Sequence, residues 1–199
     1  MRQFAASGIS PQRKIIGTND RFGNKGIKNQ QGSTVIKYDT LEIDGRTEFR
    51  FFEGSAQRNF PFSNSGAQGN QLGVGNSLTV ERAYLTLITQ DPETGTFDTV
   101  ERFQLNDVPG ITLGEFGFSI ANSEVIKNVP VLSWFPEFNK YAENAINNNF
   151  DFDTQIVIPP LLEFVATLRT AAYTVPTAKS YIRLTIEGTG AIIAPRTTF

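Results

Sequence analysis

The sequence predicts an all-β chain: an antiparallel β-sandwich with one short helix and an extended N-terminal arm. Three observations carry this. Residues 162–170 and 181–193 are long runs in which apolar and polar residues alternate. Leu162, Phe164, Ala166 and Leu168 share one parity, as do Ile182, Leu184 and Ile186. Period two over such lengths puts successive side chains on opposite faces of a half-buried strand. The second observation is the regular return of Gly, Pro, Asn and Asp turn signals between short β-branched and aromatic runs, the spacing of a sandwich or barrel. The third is seventeen Phe against one Trp and one Met, which makes a core of Phe and β-branched residues.

At 199 residues the chain suits one domain with a long tail, and that length buries a substantial core without staples. Cys and His are both absent. That removes disulfides, the usual zinc sites, and the Ser-His and Cys-His nucleophile pairs. The formal net charge of -2 supplies no global field for nucleic acid or membrane. No run reaches the roughly 18 apolar residues of a membrane helix. Residues 1–10 lack the apolar stretch of a secretory signal, so none is expected.

Residues 1–32 differ from the rest. Arg2, Arg13, Lys14, Arg21, Lys25 and Lys28 stand against Asp20 alone, giving +5 and leaving -7 for the remaining chain. Few apolar residues occur there and no period is sustained, so the segment gains order only on a partner surface. It is expected to be an assembly arm carried by those six cations. They are spread singly, which allows weak, non-specific nucleic-acid contact and no specific site.

The body, 33–199, opens with a strand at 33–43. Asp44-Gly45 gives a two-residue hairpin signal, and 46–53 returns as the second strand. Residues 54–76 are rich in Gly, Asn, Ser and Gln. They predict a long exposed loop without core contact. Its glycines lack the Lys-Ser/Thr and helix of a phosphate loop. A long strand follows at 77–89, with a bulge where Glu81-Arg82 breaks the alternation. Strands are predicted at 97–105 and 112–120, with a turn at 107–110 between them. Another at 124–132 is an edge strand because of Pro130. Residues 136–147 carry the one helix, with Pro136 in its first turn and Phe138, Tyr141, Ala142 and Ile146 at helical spacing. Pro159 and Pro160 end a short run at 155–158. The predicted core includes Phe116, Phe118, Ile120, Phe164, Leu168, Leu184 and Ile186. Eight strands in two sheets describe a jelly roll.

Few residues point to chemistry. Asp151 and Asp153, with Glu143, offer oxygens to a hard cation but lack the spacing of a calcium loop. Trp134, Phe135, Phe138 and Tyr141 form either a carbohydrate platform or the closed end of the core, and aromatic payload favours the core. No cofactor motif and no catalytic residue is identified, so an enzyme is not expected.

A basic, glycine-rich arm (1–32) precedes the body. The Pro-bounded entry Ile156-Val157-Ile158-Pro159-Pro160, the run 164–170 and the closing strand 180–194 follow. This pattern resembles small viral and phage capsid proteins of the jelly-roll type. The resemblance implies a self-assembling structural protein of the virion. Its partners would be copies of itself and other capsid proteins, and its arm would reach neighbouring subunits. A different class remains open: a carbohydrate- or receptor-binding β-sandwich, such as a phage tail or fibre module. An enzyme with carboxylate chemistry is a third. An assembly protein forms large symmetric particles; a binding module stays small and responds to glycans.

Overall fold

The computed structural model describes residues 16–19, 25–28, 30–66, 69–74, 76–135 and 149–193. Eleven strands run through them: β1 Ile16–Asn19, β2 Lys25–Lys28, β3 Gln30–Glu42, β4 Glu48–Phe51, β5 Asn76–Gln90, β6 Phe97–Arg102, β7 Glu115–Ile120, β8 Ser123–Pro130, β9 Asn149–Ile158, β10 Phe164–Arg169 and β11 Lys179–Ile193. One helical turn, α1, spans Pro109–Thr112, and 3-10 turns lie at Ser55–Gln57 and Val131–Trp134. Among the described residues no helix is long and apolar enough to cross a membrane.

The first sheet has the order β3-β11-β5-β6, with β9 also paired to β5; the second has the order β4-β10-β7-β8. Every pairing is antiparallel. Without β1, β2 and β6, eight strands remain, and their pairing is nested. First meets last (β3 with β11), second meets seventh (β4 with β10), third meets sixth (β5 with β9), and fourth meets fifth (β7 with β8). This is the jelly roll, a long hairpin folded over itself into two sheets. Strand β6 is an addition. It shares one edge of β5 with β9, taking Thr86–Gln90 while β9 takes Leu78–Tyr84.

The inward parity of each strand supplies one continuous apolar cluster between the sheets. Phe49, Phe51, Phe116, Phe118 and Phe164 come from the second sheet; Leu78, Leu85, Ile182, Leu184 and Ile186 come from the first. Of the predicted core residues, all but Ile120 are buried, and Ile120 packs partly buried against the cluster. The predicted bulge is present. Glu187 and Gly188 face Arg82 and Val80, so Glu81 is the extra residue. Gly188 permits it, because a Cβ there would collide with the Thr79 carbonyl oxygen. Strand β8, with Pro130 at its end, is an edge as predicted.

Several expectations fail, each for a physical reason. Asp44-Gly45 does not close a hairpin, since β3 and β4 lie in different sheets. A type I′ turn needs positive φ at both central residues, and only Gly45 has it (92°). Leu41 and Ile43 must face Phe49 and Phe51 across the core, so the chain crosses from sheet to sheet instead. Tyr173 holds this corner: its hydroxyl accepts from the Gly45 N–H (3.2 Å) and donates to the Arg46 carbonyl (3.0 Å). The expected 107–110 turn runs on into α1, which Pro109 opens without needing an N–H, so the strand expected from 112 starts only at Glu115. Strand β6 ends at Arg102 and leaves Phe97 and Val100 exposed. The 54–76 connection is not free of the core. Leu72 is buried there, and the Leu72 and Asn70 carbonyls accept from the N–H groups of Leu161 and Phe164 (both 2.9 Å). Strand β3 starts at Gln30, inside the expected arm, and 16–19 and 25–28 form the β1-β2 ladder. The helix expected at 136–147 lies outside the described residues.

Candidate functional site

Arg2, Arg13, Lys14 and Arg21 lie outside the described residues. Lys25 and Lys28 are on β2, opposite Asn19 and Ile16. Asp151 and Asp153 are exposed on β9, Glu143 lies outside the described residues, and among those described no group of three or more acidic residues is placed to hold a metal. Trp134 and Phe135 are buried. Trp134 meets Phe116 edge-on (5.0 Å) and stacks on Phe150 (5.6 Å), so Trp134 and Phe135 close the core and offer no platform. Phe138 and Tyr141 lie outside the described residues.

A concavity lies on the outer face of the second sheet. Register builds it in rows. Glu48, Arg169 and Glu115 stand opposite one another on β4, β10 and β7; Arg50, Thr167 and Gly117 form the next row. Gly117 has no side chain, so this row has a floor and no ridge. Beside it, β8 is buckled. Phe116 faces Val129, Phe118 faces Ile126 and Ser119 faces Glu124, so β8 carries two more residues than β7 over the same span. Asn128, within the first irregularity, has a left-handed backbone (φ 49°). Bulges of this kind bend an edge strand and re-aim its side chains. Here they bring the Glu124 carboxylate over the glycine, 3.6 Å from where a Cβ would be. The resulting hollow is about 290 Å³, and a second of about 530 Å³ continues from it towards Asn70 and Glu163, sharing Arg50, Ser119 and Thr167. Arg50 is paired with Glu53 (2.9 Å) and Lys127 with Glu124 (3.6 Å). Among the described residues no ion pair engages Arg169.

The outer face of the first sheet is furnished differently. Tyr38 and Tyr84 flank Thr185, and each carries a guanidinium over its ring: Arg183 on Tyr38 (4.4 Å) and Arg102 on Tyr84 (3.3 Å). The 59–65 segment folds onto this sheet. Arg183 donates to the Pro61 carbonyl (2.7 Å), Phe62 packs on Tyr181 (5.3 Å) and Phe97 (5.8 Å), and Asn64 bonds the β3 edge at Ile36 and Tyr38. Phe60 is left 85% exposed on this anchored segment. A third hollow, about 500 Å³, lies between Asp107–Gly110 and Ala172–Thr177. Burial pushes the Asp107 carboxyl up, against the opposing bond it accepts from the Gln104 N–H (2.6 Å).

Sequence reasoning missed these surfaces. The alternation of 115–120 does put Glu115, Gly117 and Ser119 on one face, but the two bulges that shape the hollow leave no periodic trace. Comparison with known proteins gives no match: no family model, no curated protein and no solved structure matches the chain.

Proposed function

We propose that this chain is a structural virion protein, a jelly-roll subunit that self-assembles into a symmetric capsid shell or vertex. The observation that supports this most is the nested pairing of eight strands in two four-stranded layers, with a basic arm ahead of it. Fold alone leaves many functions open. The charge contrast, +5 in residues 1–32 against -7 beyond, adds a reason for copies to attract one another. So does Phe60, an exposed aromatic on an anchored segment, the kind of residue that anchors interfaces. Its partners are then copies of itself and other capsid proteins, and its place is the virion. The test is light-scattering mass with negative-stain microscopy of the full chain across concentration and salt. Symmetric particles or rings are expected, weakening as salt rises, and deletion of 1–28 should leave a folded body that assembles differently. A protein that stays monomeric at every concentration and salt overturns the reading.

One observation favours a second reading, a binding module of the tail or fibre kind: the buckled hollow over Gly117, a construction that a merely solvated face does not need.

A further inference from the structure

A sheet face that only meets water needs alternating polar residues and nothing more. The hollow over Gly117 has more than that. It has a side-chain-free floor on an interior strand, two extra residues in the adjoining edge strand, and a left-handed Asn128 among them. Glycine inside a strand and a left-handed non-glycine residue both cost stability. Features of this kind persist where they shape a surface.

We propose that this hollow binds a neutral, hydroxyl-rich ligand, an oligosaccharide. Each sugar hydroxyl both donates and accepts, so a site for it must present both kinds of group close together. The hollow does so. The carboxylates of Glu115 and Glu124 accept, the Arg169 guanidinium and the Asn128 amide donate, and the Ser119 and Thr167 hydroxyls do either. Bonds to the ionised members are the stronger ones. The charge is nearly balanced once both ion pairs are counted: Glu48, Glu53, Glu115 and Glu124 stand against Arg50, Lys127 and Arg169, a net of -1. Neither an anion nor a polycation is selected by that balance. An apolar ligand would bury these groups without partners, which is costly. The continuing second hollow gives length for more than one sugar ring. Among the described residues no aromatic ring lines either hollow. Binding at one site is therefore weak, on the order of 1 mM, and gains strength when many copies present it together.

This inference rests on the binding-module reading and is independent of assembly. Saturation-transfer NMR on the full chain tests it, with a panel of neutral gluco-, galacto- and manno-oligosaccharides beside an acidic panel of uronate and sialyl oligosaccharides. Two variants accompany the wild type. Gly117→Gln grows into the hollow; its Cβ meets only the Ile126 carbonyl (3.5 Å) and Glu124 Oε1 (3.6 Å), both ordinary contacts. Arg169→Gln removes the guanidinium, and carries the test if the first variant fails to fold. The expected result is transfer to at least one neutral oligosaccharide, reduced about fivefold or more in both variants at unchanged melting temperature. Transfer to neutral sugars that neither variant reduces overturns the site. Transfer only to acidic sugars, lost in the variants, overturns the ligand class and leaves the binding-module reading standing. No transfer from either panel overturns both.

Discussion

Asp39 and Arg58 form a forked ion pair, its carboxylate fully buried, that ties the first sheet to the connection leaving the second. Asp39, on β3, has no exposed surface. It accepts from Arg58 Nε (2.8 Å) and Nη2 (2.5 Å) and from the Phe52 N–H (2.6 Å). The same Nη2 donates to the Glu53 carbonyl (2.8 Å). The corner between has two left-handed residues, Phe52 (φ 70°) and Gly54 (φ 63°). A planar fork matched to a carboxylate fixes direction as well as distance. From this corner the chain runs on to the 59–65 segment that lies against the first sheet.

Removing Arg58 should therefore cost more than a surface cation does. Arg58→Ala leaves a buried carboxylate without its partner, a change that costs about 3–5 kcal/mol. The Arg58 side chain is 26% exposed, and water reaching the gap holds the loss to the lower part of that range. Arg58→Lys should recover little, because a single ammonium cannot make the fork. Urea denaturation of the three proteins measures this. A wild-type midpoint in Arg58→Ala would mean the pair does not hold the corner.

Gly188 and Gly117 both lie within strands, and Ala should affect them very unequally. At Gly188 the new Cβ collides with the Thr79 carbonyl, and neither β5 nor β11 can retreat without breaking ladder bonds. Overpacking of this kind costs about 1–3 kcal/mol, or more where backbone is the obstacle. At Gly117 the Cβ makes only ordinary contacts, so Ala should change stability by about 0.5 kcal/mol or less. Thermal melts of the two variants check the contrast, and equal losses would show that the bulge at Glu81 is not what demands Gly188.

Much of the fold is legible in the sequence because burial imposes period two. The alternation of 164–168 and 182–186 selects Phe164, Leu168, Leu184 and Ile186, and all four are core. The broken alternation at Glu81-Arg82 marks a real bulge. Partner choice is less legible. Asp44-Gly45 carries local hairpin chemistry, yet the pairing of β3 with β11 links residues more than 130 positions apart, which no local signal encodes. The 54–76 connection is mostly polar, and its buried large apolar residue, Leu72, carries no period to announce it. The candidate site is the least legible part. Its floor, Gly117, follows from parity, but its wall depends on two bulges in β8 that only the register with β7 defines.

Leu72 offers a direct check on how that connection is held. Leu72→Ala should cost about 2–5 kcal/mol, as for a core leucine, although it sits in a stretch of Gly, Asn and Gln. Phe164→Ala should cost about 3–5 kcal/mol, since Phe164 packs against Phe52 (5.0 Å) and Phe118 (6.2 Å). Denaturant midpoints decide both. If Leu72→Ala melts with the wild type, the connection is surface loop and its bonds to Leu161 and Phe164 do not anchor it.

The corner between the sheets should report on acid. The Arg46 side chain, through bonds from Nε (2.7 Å) and Nη2, holds the Asp44 carboxyl down to about 2, with partial burial opposing it. The Arg46 N–H adds a bond to the same carboxylate (3.2 Å). In the unfolded chain Asp44 titrates near about 3.9. The folded value is the lower one, so the pair contributes stability that is fully present above about pH 4 and is lost as the pH falls towards about 2. Both side chains are some two-fifths exposed, so solvent screening keeps the contribution small. The carboxyl itself is the better probe. Carbon-detected NMR titration should place Asp44 near 2 in the wild type and near 4 in Arg46→Ala. Tyr173→Phe, which removes the hydroxyl bridging Gly45 and Arg46, should move it part of the way, because the corner then no longer holds Arg46 against Asp44. An Asp44 that titrates near 4 in the wild type would show that the pair does not persist in solution, and the Tyr173 clasp alone would then have to fix the crossing from β3 to β4.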